Sequence, residues 1–179
     1  MAKKKVNYVN NADFLQAMIE YREMVQQADK EGNQRPVVPV YIGKCILQIA
    51  NRLSHKPNFI NYSFREEMIS DGIENCLQYI DNFNPEKSNN PFAYFTQIIY
   101  FAFLRRIEKE KKNLYVKYKL TEQMNVDQQV SDRQDHDDGV DFNDQIKHNE
   151  WSQEYISTFI ENFEENKRKK VRKKKAAAE

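Results

Sequence analysis

The chemistry in this chain is concentrated between Phe92 and Lys112. Six aromatic residues fall in the twelve positions Phe92 to Phe103: Phe92, Tyr94, Phe95, Tyr100, Phe101 and Phe103. Arg105, Arg106, Lys109, Lys111 and Lys112 follow directly. Cationic side chains neutralise phosphates, and exposed rings stack on unpaired bases, so this order of residue types suits single-stranded nucleic acid. Stacking contributes ~1–3 kcal/mol per base, comparable with the few kcal/mol needed to unstack one. At 100° per residue the rings cannot all share one helix face, so some pack in a core and the rest stay partly exposed. The competing reading is that every ring is core packing and every charge a solvated face.

Other chemistries find little support. There is no Gly-rich phosphate loop and no nucleophile elbow. His55, His136 and His148 stand apart from both cysteines, Cys45 and Cys76. The acidic stretch around Gly139 fails as a calcium loop. With Gly139 as its sixth position, Gln134, His136 and Gln145 occupy positions that need carboxylates. We expect no enzyme activity, no metal and no cofactor. The two cysteines read as buried thiols, and neither a membrane span nor a secretory signal is expected.

The elements that must carry these residues are helices. The 179 residues include only 4 Gly and 5 Pro, too few for a turn-rich β fold. A first helix starts at Asn10 or Asn11 as N-cap, carries Phe14, Leu15, Met18 and Val25 inward, and ends at Gly32. A second, from about Val40 to Leu53, has an apolar stripe from Tyr41 to Leu53. A third opens with a Ser63/Glu66 capping box, buries Met68, Ile69, Ile73, Cys76, Leu77 and Ile80, and turns an acidic face outward. A fourth starts at Asn90–Pro91 and runs to Leu104, with a further helical stretch from Leu114 to Met124. An all-α bundle over 1–124 is therefore expected. It is followed by an acidic flexible linker over 125–144, then an amphipathic helix and basic tail over 145–179.

The net charge of +1 hides segregated blocks. Arg105 to Lys119 holds seven basic residues, Asp127 to Asp144 seven Asp, and Lys167 to Lys175 eight basic residues in nine positions. Such blocks point to polyelectrolyte partners or solvated tails.

Two stretches carry a resemblance: 67–83, EMISDGIENCLQYIDNF, and 92–107, FAYFTQIIYFAFLRRI. Together with Asn7 to Asn11 and Asn89 to Gln97, they resemble the second conserved region of the primary bacterial sigma-factor family, and most closely its small late-transcription members in T-even-type phages. The resemblance covers roughly 7–119. It implies the helical fold of sigma domain 2, a place in the cytoplasm of an infected bacterium, and a binding rather than catalytic role. Glu67, Ser70, Asp71 and Leu77 would dock on the coiled-coil helices of the largest subunit of bacterial core RNA polymerase. Tyr94, Gln97, Tyr100, Phe101, Arg105, Arg106 and Lys109 would meet promoter DNA, with Tyr94 as the base-stacking tyrosine of an A·T-rich −10 element.

The sequence also departs from the family. Gln97 and Ile98 stand where the primary family has a duplex-wedging tryptophan pair, and Phe101 where it has a base-reading glutamine. Melting would then lean on other aromatics or on a late co-activator. The phage members carry a hydrophobic-acidic motif for the DNA sliding clamp, and the matching segment here places Phe159, Ile160 and Phe163 in that role. A generic helical binder of single-stranded nucleic acid is the alternative reading.

Overall fold

A computed structural model describes residues 8–131 and 143–176, and among these there are helices and no strand. Asn7 and the central part of the expected acidic linker, 132–142 with His136, lie outside the described residues. Two compact units divide the chain, 1–107 and 108–179. The boundary thus falls inside a helix rather than in the 125–144 segment.

The first unit is built on four helices. Helix α1, Asn11–Glu31, starts where the Asn10 side chain accepts the Ala12 N–H at 3.1 Å. It buries Phe14, Met18 and Tyr21, and ends at Gly32, whose φ of 67° favours glycine. Helix α2, Val40–Ser54, buries Ile42, Cys45, Ile46, Ile49, Ala50 and Leu53, whereas Tyr41 is left exposed at the edge of that stripe.

Helix α3, Arg65–Gln78, begins one residue later than the capping box requires. Phe64 occupies the N-cap position and no side chain caps the helix, so Ser63 and Glu66 do not close a box. Glu66 and Glu67 still lie in the first turn, where the helix dipole favours carboxylates. Met68, Gly72 and Cys76 are its buried residues, with Ile69 and Ile73 half-buried and Leu77 exposed. A 3₁₀ turn over Ile80–Asn82 follows.

Helix α4 is a single element, Pro91–Ser131, in place of the two helices and the start of a linker that the sequence suggested. The 105–113 segment lacks an apolar stripe but also lacks Gly and Pro, and its Arg, Lys and Glu residues propagate a helix well. The expected N-terminus is present: Asn90 Oδ1 accepts the Ala93 N–H at 3.0 Å, ahead of Pro91. Asn11 adds a second tie. Its Oδ1 accepts the Phe92 N–H and its Nδ2 donates to the Asn89 carbonyl, joining the starts of α1 and α4.

Aromatic contacts close the core of this unit. Phe14 stacks on Phe95 with centroids 5.5 Å apart, and Phe59, from the loop after α2, meets Phe103 edge-on at 5.2 Å. The seam between α3 and α4 is tighter still. A Cβ on Gly72 would lie 3.1 Å from Ile99 Cγ2 and 3.2 Å from Phe103 Cε1. One turn on, the Cys76 thiol faces the Phe95 carbonyl at 3.9 Å. Burial pushes this thiol up to about 12.

In the second unit, the far part of α4 pairs antiparallel with α5, Asn143–Ala176. Tyr115 stacks on Phe163 at 4.5 Å, Tyr118 meets Phe159 edge-on at 5.3 Å, and Ile160 is buried. The basic run 167–175 belongs to α5, so it is the last part of a helix rather than a tail.

Two predictions test the α3–α4 seam. Gly72→Val should destabilise the chain by about 2 kcal/mol in urea unfolding, because the added branches overpack Ile99 and Phe103. Unchanged stability would mean that the seam is looser than described. The raised Cys76 thiol gives a second test. Below its ordinary value of 9.0 both folded and unfolded states keep the proton. Above it only the unfolded state ionises, so stability should fall as pH rises from about 9 toward 12, and a Cys76→Ala variant should lack that component.

Candidate nucleic-acid interface

Within the first unit, α4 sorts its side chains by face. Phe95, Ile99, Ala102, Phe103 and Ile107 are buried and repeat at helical spacing. Gln97, Tyr100, Phe101, Leu104 and Arg105 are exposed. Tyr100 is 39% exposed and Phe101 47%, with ring centroids 5.9 Å apart in an edge-to-face pair. Tyr100 also leans on buried Phe59, which braces the pair against the core. The reading in which every aromatic is internal therefore fails. The cluster divides into core rings and a surface pair beside Arg105.

Tyr94 takes an intermediate place. Its ring packs against Phe83 at 5.3 Å and Phe95 at 5.1 Å, and its hydroxyl donates to the Tyr79 carbonyl at 3.0 Å. Burial, followed by the nearby Cys76 thiol, raises the Tyr94 phenol above its ordinary value. Only part of this ring is open to a base. Tyr94, Gln97, Phe101 and Arg105 stand at intervals of i, i+3, i+7 and i+11, so they form one stripe along the helix.

The face expected to hold a polymerase lies on α3. Glu67, Ser70 and Leu77 are exposed, and the Ser70 hydroxyl donates to the Glu66 carbonyl at 3.1 Å. Asp71 is different. Its carboxylate accepts from Arg106 at 3.2 and 3.4 Å, and the Arg106 side chain is only 18% exposed. Arg106 therefore faces α3, where it binds a carboxylate instead of standing open to phosphate. Asn75 adds a parallel tie: its Oδ1 accepts from Arg105 at 2.8 Å, and its Nδ2 donates to the Asp71 carbonyl at 2.6 Å.

The first of these pairs joins a residue expected to touch protein with a residue expected to touch DNA, and the second ties Arg105 to the same helix. Nothing in the local sequence pattern gives Asn75 a role. The pairs span 35 and 30 positions, and no local spacing rule links such residues. The adjacent glycine is the nearest available hint, since Gly72 is what lets the helices come close enough for Asp71 to reach Arg106.

In the second unit, Lys109 is exposed. Phe159, Ile160 and Phe163 form the inner face of α5 against Tyr115 and Tyr118. They fill the hairpin seam and are not displayed for an external groove. The expected clamp-binding segment is thus an internal packing element, because a helix this apolar finds its partner on α4 of the same chain. Beside it, the Tyr115 hydroxyl donates to Glu164 at 2.9 Å. That bond, with Lys119 and Arg168 close by, holds the Glu164 carboxyl below its ordinary value.

No group of three or more metal-ligating side chains occurs among the described residues, and no helix among them is long and apolar enough to cross a membrane.

The Asp71–Arg106 tie can be measured directly. In a double-mutant cycle with Asp71→Ala and Arg106→Ala, urea unfolding should return a coupling of about 1 kcal/mol, as for a partly exposed hydrogen-bonded ion pair. Additive effects would show that the two side chains do not interact in solution.

No protein-family model matches the chain, and no curated protein matches it.

Proposed function

We propose that this chain is a sigma-type initiation factor of the phage late-transcription kind, working in the cytoplasm of an infected bacterium. In this reading α3 docks on the coiled-coil helices of the largest subunit of core RNA polymerase, and α4 opens the −10 element of late promoters. The polymerase performs the catalysis. The observation that carries the reading is the surface of α4 in the first unit. An exposed Tyr100–Phe101 pair and Arg105 sit on a helix whose opposite face is locked into a packed core.

Each part has a physical task. Arg105 meets a phosphate and brings the strand to the helix. Phe101, Tyr100 and the open part of Tyr94 stack on bases released from the duplex. At ~1–3 kcal/mol each, two such contacts offset the cost of opening an A·T-rich step. Gln97 supplies a hydrogen-bonding amide between them. A rigid helix matters because rings fixed before binding lose little conformational freedom when the base arrives. Glu67, Ser70 and Leu77 offer an acid, a hydroxyl and an apolar side chain on the neighbouring helix. That mixture suits a partner surface with basic and apolar groups.

The test uses the full chain, bacterial core polymerase and a fluorescent duplex with an A·T-rich −10 element. The wild type should bind core and open the duplex. Glu67→Arg should lose core binding, and Phe101→Ala should keep it while opening the duplex roughly tenfold less. Asp71 is a poor probe, because its carboxylate also holds Arg106. Binding to bare single-stranded DNA with no affinity for core would instead favour the generic single-strand binder. Binding to neither would reject both.

A further inference from the structure

The second unit brings together two basic blocks that are far apart in the sequence, 109–112 and 167–175. The register of the hairpin does this. Lys170 contacts Glu108, Phe163 stacks on Tyr115 and Phe159 meets Tyr118, so 109–112 lie level with 166–169 of α5. We propose that this basic end of the hairpin is a sequence-independent binding surface for the phosphates of duplex DNA. It does not rest on the polymerase reading above.

The charge there is consumed only in part within the unit. Glu108, Glu164 and Glu165 each have a cationic partner: Lys170, Arg168 with Lys119, and Lys169. Lys111, Lys112, Lys167, Arg172 and Lys173 are exposed and have no acidic partner among the described residues. Like charges this dense repel one another, and counter-charge relieves that repulsion.

Spacing and shape favour a duplex. The run 167–175 rises roughly 12 Å as a helix. Duplex DNA presents about 7 phosphates over that length, close to the eight basic residues in the run. These residues occupy all sides of α5, since consecutive positions are turned by about 100°. Cations on several sides of one helix can meet phosphates of both strands of a duplex. A lipid surface would need an apolar face opposite the charge, and Val171 is the only apolar residue in the run.

The experiment uses the full chain without polymerase, a mixed-sequence fluorescent duplex of roughly 20 base pairs, and salt from ~50 to ~200 mM. Two double variants are compared with wild type, Lys111→Glu with Lys112→Glu and Arg172→Glu with Lys173→Glu. All four positions are exposed, and circular dichroism should stay unchanged. Each double variant should bind about tenfold more weakly and flatten the slope of log affinity against log salt by about 2. If the Lys111/Lys112 variant binds like wild type, the two blocks do not form one surface and the proposal is overturned. Binding to phosphatidylserine vesicles without binding to the duplex overturns it equally. Because no polymerase is present, neither result bears on promoter opening.

Discussion

The first unit depends on how closely α3 and α4 approach at Gly72. With hydrogen in place of a side chain, Ile99 and Phe103 come within a distance that any Cβ would find tight. That approach puts the Cys76 thiol over the Phe95 carbonyl and brings Asp71 and Asn75 within reach of Arg106 and Arg105. A residue with a branched side chain at this one point would push the helices apart, and both polar ties would lengthen with them. The glycine costs some helix propensity, and the packing it allows offsets that cost.

With that seam fixed, the orientation of α4 is fixed too. Phe95, Ile99 and Phe103 point into the core, which leaves Phe101 on the outer side and Tyr100 and Arg105 exposed on the flanks, against Phe59 and Asn75. The exposed aromatic pair therefore follows from helix geometry once the opposite face is anchored. Asn11 and Asn90 hold the helix start from two directions, which leaves little freedom for rotation about its axis. Rings held in this way have little conformational freedom left to lose on contact with a partner.

The second unit follows a simpler principle. Tyr115 and Tyr118 on α4 take the rings of Phe163 and Phe159, and Ile160 fills the seam between them. This apolar zip sets the register of the hairpin. The cationic segments level with one end of it are brought together although they repel, because the apolar burial outweighs the repulsion of exposed, solvent-screened charges. The same zip accounts for why Phe159, Ile160 and Phe163 are turned inward.

The all-helical class, the four helices of the first unit, a first cap narrowed to Asn10 or Asn11, the cap at Asn90 and the stop at Gly32 were legible in the residues, because each rests on local chemistry within about four positions. The inward stripes of α1 and α2 were legible for the same reason, apart from Tyr41 at a stripe edge. The absent Ser63/Glu66 box and the unbroken α4 were not. A capping motif competes with the packing of neighbouring segments, and a charged stretch without breakers keeps a helix going when its apolar pattern lapses. The sequence located the aromatic-basic cluster, but only tertiary structure decided which rings were core and which were surface. It alone turned Arg106 toward Asp71, joined Asn75 to Arg105 and folded α5 back on α4. These are contacts between residues tens of positions apart, whose meeting depends on where whole helices pack.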